Sequence, residues 1–214
     1  MARVTVIGGT GYAGGNIVRE AVARGHQVSA VARHTPVEPV AGVTYVVGDV
    51  LDPTVLEQAV AGADVVVGAL SPRGELEGRL VDVVRRLAAV AQSAGARLGV
   101  VGGAGSLLVS PQGPTLAETA GFPEAAKSEA AEMAAILVDL RAWDESLDWF
   151  FLSPAGEFGA WVPGEHTGTF RLGGDLLLTD EEGGSAISGA DYAHAFVDEI
   201  DRPAHRRRRF TVAY

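Results

Sequence analysis

The sequence predicts an α/β domain built on a doubly wound, mostly parallel sheet with helices on both faces. Apolar, β-rich runs recur along the 214 residues, and helix-length segments with apolar spacing near 3.6 residues separate nearly all of them. Several runs, such as Val65–Val67, are unbroken stretches of branched apolar residues. This alternation is typical of βαβ units, and such runs are typical of strands covered on both faces by helices. We therefore expect one domain over residues 1–214, with a small substrate-side subregion in its C-terminal part.

The individual elements follow from local signals. Asp52 before Pro53 predicts the start of a helix that ends at Gly62, because Asp is a common N-cap and Pro suits the first helical turn. Ser188, three residues before Asp191, predicts the start of a helix over 192–200. The expected strands are Arg3–Ile7, Gln27–Ala32, Val43–Val47, Asp64–Ala69, Arg97–Val101 and Asp148–Leu152.

Two later segments have weaker patterns. Residues 154–184 are rich in glycine and show no helix, so we expect a substrate-facing loop region with a short strand pair at Thr169–Leu172 and Leu176–Thr179. Four arginines, Arg206–Arg209, precede the closing segment Phe210–Tyr214. They could form an anion patch, but a solvated turn leading into a last strand is the favoured interpretation.

Composition excludes several classes of function. The absence of cysteine rules out disulfides, thiolate nucleophiles and cysteine-ligated metals, and no His, Asp or Glu residues have metal-ligand spacing. A net charge of −10 disfavours nucleic acid as a partner. Because neither a signal segment nor an apolar run of membrane-spanning length is present, we expect a cytoplasmic monomer or homodimer that acts on a small molecule and not at a membrane.

A glycine-rich turn follows the first expected strand. Gly9-x-Gly11-x-x-Gly14 and Gly8-x-x-Gly11-x-x-Gly14 overlap there, and helical residues follow. Such a turn lets a pyrophosphate approach the backbone and the free N–H groups of a helix N-terminus, as in Rossmann dinucleotide-binding folds. A turn that binds nothing is the alternative. The turn residues expected to contact a dinucleotide are Gly8, Thr10, Gly11, Tyr12, Ala13 and Gly14.

The end of the second strand indicates which dinucleotide binds. An Asp or Glu there would bond a ribose 2′-hydroxyl, whereas Arg accommodates a 2′-phosphate. The sequence has Arg33 at this point, followed by His34 as a second donor, and no carboxylate. We therefore expect NADP(H) in preference to NAD(H), unless Arg33 is an ordinary exposed residue at a strand end.

An ordered series of motifs resembles the atypical short-chain dehydrogenase/reductases, a group that includes NAD(P)H-dependent flavin and biliverdin reductases and the NmrA-like proteins. The resemblance spans almost the whole chain. Its landmarks are the 8–14 turn, Arg33, Gly48-Asp49-Val50, the segment 101–106, Leu147-Asp148-Trp149, Ser153-Pro154-Ala155 and Ile187-Ser188 with Asp191-Tyr192-Ala193.

The resemblance implies positions for the remaining cofactor contacts. Asp49 and Val50 would contact the adenine, although Asp49 equally suits a loop-capping role. After the fourth and fifth strands, Ala69, Leu70 and the turn that begins at Gly102 and Gly103 would pass the nicotinamide ribose. Ser153, Pro154 and Ala155 would border the nicotinamide ring.

The catalytic Tyr-x-x-x-Lys pair of typical short-chain dehydrogenases is absent. The only lysine, Lys127, has Pro123 where the tyrosine would be, so alcohol or ketone chemistry through a tyrosine acid is not expected. Three other groups are candidates for chemistry. Lys127 could be a titratable or ribose-binding ammonium, or a solvated helix residue. Ser106 resembles the serine that lies near the nicotinamide in the reductases of the group, or it has a structural role in its turn. His166 is a candidate proton donor in the loop expected to close over the substrate.

Hydride transfer to a flavin, a quinone or a tetrapyrrole depends mainly on stacking and orientation, because solvent can supply the proton. We therefore expect an NADPH-dependent reductase of a flavin-like, quinone-like or other conjugated acceptor. The alternatives are a non-catalytic NADP(H) sensor of the NmrA type and a specialised biosynthetic reductase or isomerase. The candidate aromatic walls are Phe122, Phe158, Trp161 and Phe170, which could equally be packing residues.

Overall fold

A computed structural model describes residues 1–162 and 164–214. They contain one eight-stranded sheet with the strand order β3-β2-β1-β4-β5-β6-β8-β7. All neighbouring pairs are parallel except β7 and β8, which are antiparallel. The strands are β1 (Arg3–Ile7), β2 (Gln27–Ala32), β3 (Val43–Val47), β4 (Val65–Gly68), β5 (Arg97–Val101), β6 (Trp149–Ser153), β7 (Arg171–Gly173) and β8 (Arg208–Ala213).

Helices cover both faces of the sheet, as the apolar strands require. Two of them, α1 and α5, pack against each other on one face, and α2, α3 and α4 form a second layer on the other. No helix among the described residues is long and apolar enough to cross a bilayer. The helices are α1 (Tyr12–Ala23), α2 (Pro53–Val60), α3 (Leu80–Ala94), α4 (Lys127–Ala142) and α5 (Gly189–Asp201).

The strand order creates the crevice in which the candidate site lies. From β1 the chain moves outward through β2 and β3, and it then returns to the other side of β1 for β4. In an open α/β sheet, such a reversal leaves a gap at the carboxyl ends of the two central strands, where ligands bind. The doubly wound fold expected from the sequence is confirmed.

The strand predictions hold for the first six strands to within one residue at either end. The expected strand pair within 169–179 is wrong: Arg171–Gly173 pairs with β8, and Leu176 forms only an isolated bridge to Leu108. The solvated-turn interpretation of Arg206–Arg209 is also wrong in part. Arg208 and Arg209 belong to β8, and Arg209 is buried and donates to the Asp175 carboxylate at 2.7 Å.

The two N-cap residues predicted from the sequence, Asp52 and Ser188, cap their helices in the structure. The Asp52 carboxylate accepts the Thr54 N–H at 2.9 Å and caps α2, and the Ser188 hydroxyl accepts the Asp191 N–H at 3.0 Å and caps α5. Helix α5 begins three residues earlier than the apolar spacing predicted. The described residues of 154–184 contain no helix, as expected; Pro163 lies outside the described residues.

Asp191, at the start of α5, ties the 164–170 loop and the C-terminus to the core. Its fully buried carboxylate accepts hydrogen bonds from the Tyr214 hydroxyl at 2.7 Å, from the Thr167 hydroxyl at 2.7 Å and from the Gly168 N–H at 2.8 Å. Burial alone would raise the pKa of Asp191, but these hydrogen bonds outweigh burial and lower its pKa to about 2. The ionised carboxylate therefore stabilises the folded state.

We expect Asp191→Asn to lower the free energy of unfolding at pH 7 by about 2 kcal/mol, the equivalent of the pKa depression. Because the folded-state pKa lies below the unfolded value, this contribution is complete above pH 4 and disappears as the pH falls from about 4 to about 2. Urea unfolding at several pH values measures the difference between the two proteins. The exposed Asp198→Asn is the matched control, and a pH-independent difference for Asp191→Asn would contradict the assignment.

Candidate functional site

The glycine turn after β1 lies in the crevice and has no room for a side chain at Gly8, Gly9 or Gly14. Gly8 has φ +84°, and a Cβ there would overlap the Ala69 carbonyl oxygen at the end of β4. A Cβ on Gly14 would overlap the Gly8 carbonyl oxygen. The turn is also held from the β2 side, since the Gly8 N–H donates to the Val31 carbonyl at 2.8 Å. Glycine at 8 and 14 therefore lets β1, β4 and α1 meet.

The N-terminus of α1 is suited to an anion. Gly11 is its N-cap and supplies no side-chain hydrogen bond, and the first turn contains no acidic residue. The first N–H groups of a helix have no partner within the helix, so those of Tyr12 and Ala13 are available to a ligand. A Cβ on Gly11 would meet only the Gly8 carbonyl oxygen, at 3.3 Å, which leaves the outer side of the turn open.

A cleft of about 270 Å³ runs from the glycine turn across the ends of β2, β3 and β4. Eight of the residues that the sequence nominated for cofactor binding line it together. They are Gly8, Thr10, Gly11, Arg33, Asp49, Val50, Ala69 and Leu70. A cavity on the other side of the turn, of about 430 Å³, is lined by Thr10, Gly11 and Tyr12 as well. His34 lines neither of these two cavities.

An ion pair spans the rim of the 270 Å³ cleft. The Arg33 guanidinium lies 3.2 Å from the Glu75 carboxylate, which projects from the segment after β4. Both side chains are about two-thirds exposed, at 66% and 69%. Arg73 also lines the cleft and bonds Glu129 of α4 at 2.8 Å. Arg33 is therefore at the end of β2 as expected, with a carboxylate already facing it.

Asp49 and Val50 occupy different environments. The Asp49 carboxylate accepts the Leu51 N–H at 2.9 Å, which is the loop-capping arrangement, while its side chain still faces the cleft rim. Val50 is buried at 8% exposure and forms part of the cleft floor. The geometry is compatible with Asp49 as a loop cap and as an adenine contact, because a carboxylate that accepts one hydrogen bond can accept others.

The segments nominated for the nicotinamide end lie at the carboxyl ends of β5 and β6. The Gly102 N–H donates to the Leu152 carbonyl at 2.8 Å, and a Cβ on Gly102 would overlap the Phe151 ring. Gly103 lies against Met133 of α4. Ser153, Pro154 and Ala155 are buried. The buried Ser153 hydroxyl has no hydrogen-bond partner within the described chain.

The three candidate catalytic groups have separate partners, and no hydrogen bond joins them in the described chain. The Ser106 hydroxyl accepts a hydrogen bond from Arg209 at 3.0 Å. Lys127, the first residue of α4, pairs with Glu124 at 2.6 Å and is half exposed. His166 is half exposed, and its Nδ1 lies 3.0 Å from the Asp191 carboxylate.

Tyr192 and the four candidate aromatic walls differ in how deeply they are buried. Burial raises the pKa of Tyr192 well above its ordinary value, and its hydroxyl donates to the Leu152 carbonyl at 2.8 Å, so this tyrosine is a core residue. Phe158 packs between Tyr192 and Tyr12, with its ring centroid 5.3 Å from that of Tyr12. The other three candidate walls differ in exposure: Trp161 is 69% exposed, and Phe122 and Phe170 are partly buried.

Sequence reasoning missed three charged residues of these surroundings: Arg73, Glu75 and Arg209. The first two follow β4 within a run of mixed charge, and nothing in the pattern shows that this run folds back to face Arg33. Arg209 was hidden within the arginine run. Among the described residues, no group of three His, Asp or Glu side chains is arranged to hold a metal ion.

Comparisons with known proteins agree with the geometry. Uncharacterized protein YwnB of Bacillus subtilis is 37% identical over 98% of this chain and 97% of its own length. A Streptococcus pneumoniae structure provisionally assigned as an NADH-flavin reductase has 32% identity and a TM-score of 0.84, covering 100% and 99% of the two chains. A Bacteroides thetaiotaomicron structure provisionally assigned as an epimerase has 31% identity and a TM-score of 0.89, covering 100% and 97%.

The family model described as NAD(P)H-binding matches residues 8–203. The match begins at the glycine turn and extends almost to the end of the chain, so it includes both the cleft and the segments at the ends of β5 and β6. The doubly wound sheet, the close-packed glycine turn and the uncapped N-terminus of α1 are consistent with this match. The chain belongs to the NAD(P)H-binding family of Rossmann-fold proteins.

Proposed function

We propose that the protein is an NADPH-dependent reductase of the atypical short-chain dehydrogenase/reductase type, acting on a flavin-like, quinone-like or other conjugated acceptor. The observation that carries the proposal is the position of Arg33 on the rim of a cleft that begins at the glycine turn. The S. pneumoniae neighbour is described with NADH; the choice of the phosphorylated dinucleotide rests on Arg33 and on the absence of a carboxylate at the end of β2.

The nominated residues divide between the parts of a dinucleotide, and the 270 Å³ cleft that eight of them line is the cofactor cleft. The N–H groups of Thr10, Tyr12 and Ala13 face the pyrophosphate, and Arg33 and His34 donate to the 2′-phosphate. Asp49 and Val50 border the adenine. Toward the other end, the nicotinamide half is bordered by the remaining nominated residues, which are Ala69, Leu70, Gly102, Gly103, Ser153, Pro154 and Ala155.

Bound NADPH supplies the hydride, and this chain supplies position and a proton route. A ring acceptor needs a nearby planar surface, and the ring of Tyr12, which packs edge-to-face against Phe158, offers one beside the turn. His166 is the candidate proton donor, because the ionised Asp191 holds Nδ1 and leaves Nε2 free toward solvent. Ser106 and Lys127 remain candidates for hydrogen bonds to substrate or cofactor, although each already has a protein partner.

Two other functions compete with this one. A non-catalytic NADP(H) sensor would also lack the Tyr-Lys pair, and the buried Tyr192, whose hydroxyl is bonded to the Leu152 carbonyl, does not supply a replacement acid. A specialised reductase or isomerase acting on one metabolite would resemble the B. thetaiotaomicron neighbour in its provisional description. All three functions use the same cofactor cleft, and they differ in whether the protein turns over a substrate and which substrate it accepts.

Arg33→Gln tests the cofactor assignment. We expect about a tenfold loss of NADPH affinity with NADH affinity unchanged, because a charge-assisted hydrogen bond to the 2′-phosphate is lost. Fluorescence titration with both cofactors measures this. Arg202→Gln, which removes an exposed arginine at the far end of α5, is the control. Equal affinity of the natural protein for both cofactors would sink the assignment.

Glu75→Gln should have the opposite effect. The Glu75 carboxylate competes with a 2′-phosphate for Arg33 and repels it, so its neutralisation should raise NADPH affinity about two- to fivefold, the size of an exposed ion-pair effect. NADH affinity should not change. The same titration with Glu77→Gln, an exposed carboxylate two residues away, separates this local effect from a general change in charge.

Turnover decides between the reductase and its competitors. When the protein is mixed with NADPH and FMN, riboflavin or a simple quinone, the NADPH absorbance should decrease much faster than it does without the protein. Tight NADP(H) binding without turnover on a broad acceptor panel would favour the sensor. If only NADH supported turnover, the enzyme class would stand and the Arg33 assignment would fail.

A further inference from the structure

A second, strongly basic cleft lies on the opposite edge of the sheet from the cofactor site. It has a volume of about 450 Å³ and forms where the short β7 ends and leaves the first residues of β8 uncovered. Its position is at the amino end of β8, whereas the cofactor cleft is at the carboxyl ends of β1, β2 and β4. It shares no residue with the cofactor cleft, and its size suits a small molecule. This basic cleft is lined by Arg141, Leu172, Gly173, Gly174, Asp175, His205, Arg207, Arg208, Arg209 and Phe210.

Positive charge in the basic cleft exceeds its internal compensation. Four arginines line it against one carboxylate, Asp175, which leaves three positive charges uncompensated within the lining, in a protein whose net charge is −10. Asp175 is shared: it accepts hydrogen bonds from Arg141 at 2.7 Å and from the Arg209 Nε at 2.7 Å. One carboxylate cannot neutralise two guanidinium groups.

Two carboxylates outside the lining are already engaged with other cations, and a third, Asp144, has its pKa lowered mainly by hydrogen bonds from Ser146 and also by the charge of Arg207. Asp148 bonds Arg206 and lies 3.4 Å from Arg97. The buried Glu199 bonds Arg97 at 2.5 Å and His205 at 2.8 Å. Asp148 and Glu199 are therefore not free to compensate the basic cleft, and Asp144 offsets part of the charge of Arg207 only, so Asp175 is the one carboxylate among the described residues that lines the cleft beside Arg141, Arg208 and Arg209.

Arg209 is the buried arginine of the basic cleft. Burial lowers the pKa of Arg209, the ion pair with Asp175 offsets only part of this, and the charge of Arg141 lowers the pKa further. An additional anion would relieve both effects, because it supplies the missing opposite charge.

Two of the arginines can reach a ligand without rearranging the core. Arg208 is exposed, and the Arg141 side chain is 47% exposed. Arg207 forms a rigid wall instead, because its guanidinium donates to the carbonyls of Trp143, Asp144 and Leu147. Gly174 leaves the floor open, since an added Cβ there would meet no atom within 4 Å.

We propose that the basic cleft binds a small oxyanion that carries two or more negative charges, either a polycarboxylate or a polyphosphate. Guanidinium groups bind carboxylate and phosphate oxygens in the same bidentate manner, so the geometry assigns the shared chemistry. Arg141 and Arg208 make the contacts that depend on the ligand, and Arg209 supplies buried positive charge behind them. The proposal does not depend on the function proposed above.

Isothermal titration with citrate and with pyrophosphate, at constant ionic strength, tests the proposal. We expect the natural protein to bind at least one of them, and the double variant Arg141→Gln/Arg208→Gln to bind it at least about tenfold more weakly. Binding of citrate alone identifies a carboxylate ligand, and binding of pyrophosphate alone identifies a phosphate ligand. If the double variant does not fold, as judged by circular dichroism, the single exposed change Arg208→Gln replaces it.

Arg33→Gln is the matched control, because it removes one exposed arginine from the other cleft. Binding in the basic cleft should be unchanged in this variant. The proposal fails if Arg33→Gln loses the anion while the double variant keeps it, if the double variant binds as well as the natural protein, or if neither anion binds the natural protein more tightly than chloride does.

Discussion

The close meeting of β1, β4 and α1 at the glycine turn is the constraint on which the rest of the structure depends. At Gly8 and Gly14 a side chain would overlap backbone carbonyl oxygens, so neither neighbour could move aside. This contact places the start of α1 directly against the ends of the central strands. The free N–H groups of α1 therefore lie at the crevice of the sheet, and this arrangement favours the binding of an anion there.

The charged groups around the site are placed by segments that converge from distant parts of the chain. Arg33 ends β2, and its partner Glu75 is 42 residues later, after β4. Asp191 on α5 gathers Thr167, Gly168 and Tyr214 into one hydrogen-bonded cluster, so the C-terminus closes the same region that the glycine turn opens. The cofactor cleft itself is lined by the ends of β2, β3 and β4 and by the segment after β4 that carries Glu75.

The distribution of arginine explains how an acidic protein can hold two clefts with basic residues. The cofactor cleft balances Arg33 and Arg73 with Asp49 and Glu75 among its lining residues. The basic cleft has four arginines and only Asp175. The first arrangement keeps the site close to neutral until a charged ligand replaces an internal partner. The second leaves a standing excess of charge, and buried Arg209 experiences it most because little water screens it.

The sequence by itself determined the strand and helix order, the first six strands, the glycine turn and the position of Arg33, because each depends on residues close together in the chain. Periodicity, capping residues and glycine spacing are local signals that packing did not override. Only the tertiary structure decided that β7 pairs with β8, that Glu75 faces Arg33, that Asp175 draws Arg209 into the interior and that Ser106, Lys127 and His166 have separate partners. Except for the pair of Lys127 with Glu124, three residues away, each of these is a contact between residues far apart in sequence, whose geometry depends on how the helices and the sheet edge pack and not on any local pattern.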